Sequence, residues 1–310
     1  MGVKNSSKQL EIWTKNISKK NHSIVMPYDF IEFNRMIGNP KHPNNGVRTD
    51  IFDYQLEYFN AVQKKHKVIL NKSRKIGATE TALRTIAYNC FDHIIKGRVV
   101  KGRYVEHKVM IVAGNTQSIA NEFIKRFKAL FMNGFTDING NFWEEGDIVL
   151  NDAKNVVDLF NGITITAYPA NESVRGEENV ICVFMSEAAF VNRHDDSVVY
   201  KAVRPNLANI IDADFILEST PNGRSNFFFE IFDKANEEPP TIDFYPLLQP
   251  YQVSLGKMLF KEDIESLKKE YGYLFEQEFC CSFSTSGNQE FHEGEIKMNK
   301  DSEIDYFTDI

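Results

Sequence analysis

The stretch VILNKSRKIGATETALRTIA, residues 68–87, decides the fold. It reads as a short apolar strand (Val68, Ile69, Leu70), a polar loop and then a helix, along which Leu83, Ile86, Ala87, Cys90 and Ile94 recur at helical spacing. Strand, loop and helix in that order form the layout of a loop that cradles phosphates, and Gly77 and Thr79 match the end of the pattern G-x-x-x-x-G-K-[ST]. Ala78 stands where that pattern has lysine. The backbone N–H groups of residues 73–79, Ser73 included, and the positive end of the helix supply most of a phosphate cradle whatever the side chains. Arg74 and Lys75, inside the loop, are expected to bring the missing positive charge.

The same grammar continues outward. KVMIVAGNTQSIANEFIKRFKALF (108–131) is again strand, polar loop and amphipathic helix, and the apolar runs VICVFM (180–185) and ADFILES (213–219) each end in a polar turn. In NVVDLFNGITITAYPA (155–170) two β-rich runs meet at Asn161-Gly162, which predicts a tight hairpin. Alternating strands and helices imply an α/β domain with a largely parallel sheet. Residues 1–44 are polar, close in the turn-rich GNPKHPNNG, and are expected to form an N-terminal appendage. The main domain is expected over 45–255, followed by a charged helical lid segment and an acidic tail over 256–310.

A chain of 310 residues with 13% aromatics can bury a sizeable core. Its four cysteines form no C-x-x-C pair, so neither a disulfide framework nor a zinc site is expected, and a reducing, intracellular setting is. No signal peptide or membrane span is legible, and Met1-Gly2 with Ser6 resembles a myristoylation start only by chance. A net charge of -7 argues against a broad basic coat for nucleic acid, while leaving room for a local DNA-contacting patch.

VICVFMSEAAF (180–190) delivers Ser186 and Glu187 to a strand end. In phosphate-loop ATPases this strand presents an acidic group to Mg2+ and often a second that activates the attacking water. Glu187 fits the second role. Ser186 takes the place of the metal-associated aspartate, so Thr79 and Ser186 are the expected Mg2+ contacts. The strand ending in STPNG places Ser219, Thr220 and Asn222 in the crevice at the carboxyl ends of the sheet, where Thr220 and Asn222 are positioned to sense a γ-phosphate. Asp301, Glu303, Asp305 and Asp309 lack surrounding apolar strands and read as a solvated tail rather than a nuclease metal cluster.

As a set, DYQLEYF (53–59), SRKIGAT (73–79), SVRGEEN (173–179), FMSEAAF (184–190), STPNG (219–223) and LFEQEFCCSF (274–283) resemble the ATPase domain of large terminase subunits, the motors that package viral DNA. The resemblance implies a RecA-like P-loop NTPase fold of the ASCE type, a three-layer sandwich with a small helical lid. It implies Tyr54 and Gln55 as an adenine-recognising motif, Arg74 as the arginine of the phosphate loop, Arg175 as a catalytic arginine, and Ser219, Thr220 and Asn222 as the segment coupling hydrolysis to DNA movement. ATP and Mg2+ are the implied cofactors. Double-stranded DNA, a portal protein, a small terminase subunit and further copies in a ring on the portal are the implied partners, in the cytoplasm of an infected host. The expected extent is the ATPase half alone, without a nuclease domain. A helicase-like DNA-dependent ATPase and a nucleotide-responsive assembly protein with little turnover are the competing readings.

Overall fold

The structure, a computed structural model, describes residues 24–283 except 43–44, 96–106, 152, 172–173, 192–195, 209 and 211. The acidic tail at 286–310 and the myristoylation-like start lie outside the described residues.

The opening stretch folds as read: β1 (Lys67–Lys72) runs into the polar loop and α3 (Ala78–Ile95) follows. Before it come α1 (Phe30–Ile37), capped by the Asp29 carboxylate accepting from Glu32 N, and α2 (Asp53–Lys65). After it come β2 (Lys108–Ala113) and α4 (Gln117–Ala129), then a two-stranded ribbon of β3 (Phe135–Thr136) and β4 (Phe142–Trp143), and the single turn α5 (Glu145–Ile148). The hairpin at Asn161-Gly162 joins β5 (Val156–Asp158) to β6 (Thr164–Tyr168) in antiparallel register, with Gly162 at φ 84°. β7 (Val180–Ser186), α6 (Asp196–Val203), β8 (Asp214–Ser219), α7 (Phe227–Ala235) and β9 (Tyr245–Gln249) complete the main layers.

These strands form a seven-stranded sheet in the order β5-β6-β2-β7-β8-β1-β9. Every pairing is parallel except the β5–β6 edge hairpin. β8 therefore stands between β1, which feeds the loop, and β7, which ends in Ser186-Glu187. This is the RecA-like arrangement.

Period-two alternation divides the strands between two faces. Val68 and Leu70, Cys182 and Phe184, and Ile216 join the core beneath α1–α4, together with Phe33, Tyr58, Leu83 and Phe127. Ile69, Val183, Met185, Phe215 and Leu217 point the other way, into a core with Val199, Val203, Phe228 and Ile231. Helices on both faces make the sandwich three layers thick. One consequence matters for the site: continuing each column by two residues puts Lys72, Ser186 and Glu218 on the α3 side of the sheet.

The helical lid, α8 (Lys261–Tyr271) and α9 (Leu274–Glu278), has a small core of its own from Leu259, Ile264, Leu267, Phe275 and Phe279. Asn71 Nδ2 donates to the Cys281 carbonyl at 2.9 Å and Tyr251 N to that of Phe279 at 2.9 Å, so the lid is stitched to the strand ends beside the loop. Cys90, Cys182, Cys280 and Cys281 are all free thiols.

The described part of the expected N-terminal appendage is built into the main core. Phe30 stacks on Phe59 with ring centroids 3.8 Å apart, and the fully buried Phe33 meets Tyr88 and Phe91 edge-on at 5.3 and 5.9 Å. Phe33→Ala should therefore cost about 3–5 kcal/mol of stability in urea unfolding. A loss below about 1 kcal/mol, the range of a surface change, would show that α1 is dispensable to the core.

Candidate active site

The loop between β1 and α3 is held from three directions. Ser73 N donates to Gln249 O of β9 at 2.8 Å, and Arg74 N donates to Glu278 O of α9 at 2.9 Å. Tyr54 Oη and Gln55 Nε2, both buried on α2, donate to the Ile76 carbonyl at 2.8 and 3.4 Å. Lys75 and Gly77 adopt left-handed φ values of 61° and 77°, which fold the loop back on itself ahead of the helix start. Gly77 has a steric reason as well: a Cβ there would lie 2.8 Å from Gln55 Nε2. Ala78 is buried at the beginning of α3.

Behind the loop the α3-side column ends meet in a charged cluster. Lys72 Nζ donates to Glu187 Oε1 at 2.8 Å, with the lysine side chain 6% and the glutamate 46% exposed. Glu218, fully buried, accepts at Oε1 from Thr79 Oγ1 at 2.6 Å and from Ser186 Oγ at 3.1 Å. Its Oε2 has no hydrogen-bond partner. The buried Tyr58 hydroxyl adjoins it; burial first, and the charge of Glu218 next, with a side-chain hydrogen-bond interaction between the two, hold that phenol well above its ordinary range. Burial pulls the Lys72 ammonium down, but Glu187 and Glu218 outweigh it and keep the group above its usual range, firmly protonated. Burial pushes the Glu218 carboxyl up, against the pull of Lys72 and of the Thr79 hydroxyl. Glu187 itself sits in left-handed backbone, φ 53° and ψ 44°, a conformation that costs a non-glycine residue about 1–2 kcal/mol. Such strain turns the glutamate out of the strand line toward the loop side, where Lys72 holds it.

The other residues singled out in the sequence divide. Ser219 Oγ accepts from Ala189 N at 3.1 Å, and Asn222 Nδ2 donates to Ala189 O at 3.0 Å. STPNG therefore grips both polar groups of one residue in the turn that follows Glu187. Thr220 Oγ1 is buried without a hydrogen-bond partner. Arg74 pairs through Nε with Glu278 Oε2 at 2.5 Å, and Glu187 of the cluster also acts on its charge. Lys75 is exposed at the rim of a cleft of about 890 Å³ lined also by Gly38, Gly77, Arg84, Arg126 and Met258. Arg175 is exposed two residues before Glu177, whose ion pair with Lys108 lies at the start of β2, the end of the sheet away from the loop.

Two members of the cluster, Lys72 and Glu218, were not singled out from sequence. Lys72 occupies the first position of G-x-x-x-x-G, six residues before Ala78, and that offset was the available signal. For Glu218 the signal was parity with Ile216, usable only once the strand order is known. The oxygens gathered here, two hydroxyls on one carboxylate, are of the class Mg2+ takes, and the residues fit that ion. Among the described residues no group of three or more His, Cys, Asp and Glu could hold a metal by itself.

No protein-family model matches the chain. Among solved structures, similarity extends to the large terminase of a thermophilic bacteriophage in complex with ATP-γ-S, at TM-score 0.54 and 17% identity over 75% of this chain and 53% of that one. The HK97 bacteriophage large terminase aligns at TM-score 0.58 and 14% identity over 82% of this chain and 54% of that one. The fold is that of large-terminase ATPase domains. The isolated ATPase domain of the Thermus phage P74-26 enzyme is covered completely, at TM-score 0.53 and 16% identity over 84% of this chain. The chain thus spans about half the length of the ATP-γ-S-bound terminase and of the HK97 enzyme. No helix among the described residues is long and apolar enough to cross a membrane.

The loop geometry makes Gly77→Ala a sharp test. Left-handed backbone and the approach to Gln55 both oppose a methyl group, so a loss of about 1–2 kcal/mol is expected in thermal or urea unfolding. Unchanged stability would show that the loop does not need this conformation.

Proposed function

We propose that this chain is the ATP-hydrolysing motor domain of a large terminase, driving double-stranded DNA into a viral procapsid. The observation that carries the reading is the meeting of Lys72, Glu187, Thr79 and a clamped glycine loop at the carboxyl edge of a sheet with the terminase ATPase fold. ATP is proposed to lie along residues 73–79, its phosphates against the loop N–H groups and the start of α3, its base toward Tyr54 and Gln55. Lys72, rather than Arg74 or Lys75, brings the main charge to the phosphates, because its ammonium is already buried behind the loop while Arg74 is committed to Glu278. Lys75 remains available at the cleft rim.

When phosphate oxygens arrive, Lys72 exchanges Glu187 for them. The freed Glu187 carboxylate then takes the proton of the attacking water. Mg2+, bound with ATP near Thr79 and Ser186, would neutralise charge on the β- and γ-phosphates. Ser219 and Asn222, gripping Ala189, carry any shift of Glu187 into α7 and so toward the DNA-moving surface. Arg175, exposed in the connection between β6 and β7, is the candidate for action on a neighbouring subunit's nucleotide in a ring. The portal protein and a small terminase subunit are the proposed partners, in the host cytoplasm.

Rates of ATP hydrolysis, with and without linear double-stranded DNA and portal, test this. Lys72→Ala and Glu187→Gln should each lose about a hundredfold or more in turnover, with Glu187→Gln still binding ATP, while Arg74→Ala should lose less. An inactive Arg74→Ala beside a near-normal Lys72→Ala would return the role to the loop arginine. ATP binding with no turnover under any condition would favour the assembly-protein reading.

Asn222→Ala releases one side of the grip on Ala189. It should lower DNA packaging more than ATP turnover, with ATP affinity retained. A change in ATP affinity alone would make Asn222 an ordinary pocket residue.

A further inference from the structure

Glu218 has no part in the phosphate and water chemistry assigned above, yet it is a fully buried carboxylate at the centre of the site. In phosphate-loop ATPases the loop Ser/Thr and an aspartate of the strand that carries the catalytic acid hold Mg2+. Here that aspartate's place on β7 is taken by Ser186, a short neutral side chain. Directly across the parallel β7–β8 pair, in register with Ser186, stands Glu218. Adjacent strands are about 4.8 Å apart, and glutamate is one methylene longer than aspartate, so its carboxylate can reach the ground that a β7 aspartate would cover. It does so in the structure. A single oxygen, Oε1, takes both the Thr79 and the Ser186 hydroxyl protons, and Oε2 has no hydrogen-bond partner. A fully buried carboxyl group, with the Thr79, Ser186 and Tyr58 hydroxyls beside it and the charge of Lys72 nearby, is costly in the position that would otherwise continue an apolar column from Ile216.

We propose that Glu218 is the metal-associated carboxylate of this site, transposed from β7 to the adjacent strand β8, and that with Thr79 and Ser186 it receives the Mg2+ that accompanies ATP. This rests on the ATPase reading above. The alternative is that Glu218 only supports Lys72 and fixes Thr79, a role that gives no metal dependence.

The two roles separate in binding, without turnover. ATP affinity is measured by calorimetry in MgCl2 and in EDTA, and Mn2+ uptake in the presence of ATP by electron paramagnetic resonance. Wild type should bind ATP more tightly with Mg2+ and take up Mn2+. Glu218→Gln keeps the side-chain size and an acceptor for both hydroxyls; it should lose about ten- to a hundredfold of the Mg2+ enhancement while its affinity in EDTA holds. Ser186→Asp with Glu218→Ser, which returns the carboxylate to β7, should restore both signals. That double variant also decides the matter if Glu218→Gln fails to fold. A folded Glu218→Gln with wild-type Mg2+ dependence, or a folded double variant without any, overturns the transposition alone. Wild type that binds ATP equally with and without Mg2+ does the same, whereas wild type that binds no ATP at all overturns the ATPase reading and this inference with it.

Discussion

The Lys72 ammonium is the constraint around which the site is organised. It closes β1 at a point where the side chain is 6% exposed, and a cation so placed is tolerable only against compensating charge. Two glutamates provide it, from two other strands. Glu187 comes from the end of β7 by way of a left-handed residue, and Glu218 comes from β8, which the sheet order places between β1 and β7. Moving any one strand by one residue would send its polar terminus to the opposite face and leave the other charges buried without a counterpart. The parallel register therefore fixes the chemistry as much as the topology.

From that cluster, contacts run outward in two directions. Through Ala189, the turn after Glu187 is tied to Ser219 and Asn222, and Asn226, which caps α7 by accepting from Phe229 N, also donates to the Asn222 carbonyl at 2.8 Å. A displacement of Glu187 thus meets helix α7 after three hydrogen-bonded steps. In the other direction the loop backbone is bonded to α9 through Arg74, so loop and lid share one rigid connection. Nucleotide entering the cleft would press on both.

Much of the fold was legible because its signals are local. Val68–Leu70, the hairpin at Asn161-Gly162 and the apolar runs 180–185 and 213–219 each carry their own periodicity, and the structure places a strand or turn at every one. Glu187, Thr79, Gln55 and the STPNG segment were legible as candidate site residues for the same reason, since each belongs to a short pattern. The N-terminal helix was not, because Phe30, Phe33 and Ile37 are spaced along a segment whose average is polar, and only tertiary packing shows that those three face the core. Arg74 was read from its charge and from the resemblance of its loop; its commitment to Glu278, more than two hundred residues away, has no sequence signal. Lys72 and Glu218 were missed because their partners are defined across strands rather than along the chain.

Those two residues also bear on whether the departures at Ala78 and Ser186 are losses. The lysine absent at the start of α3 has a counterpart six residues earlier, and the carboxylate absent at the end of β7 has a counterpart one strand over. Both counterparts lie on the α3 side of the sheet, and both touch the cluster that includes Thr79 or Glu187. A site decaying toward an inert scaffold has no reason to keep a buried ammonium and a buried carboxylate, since apolar residues of similar volume in those positions are often neutral or stabilising. On the proposed ATPase reading, Lys72 and Glu218 keep a positive and a negative charge at the phosphate- and metal-handling site with a different set of side chains.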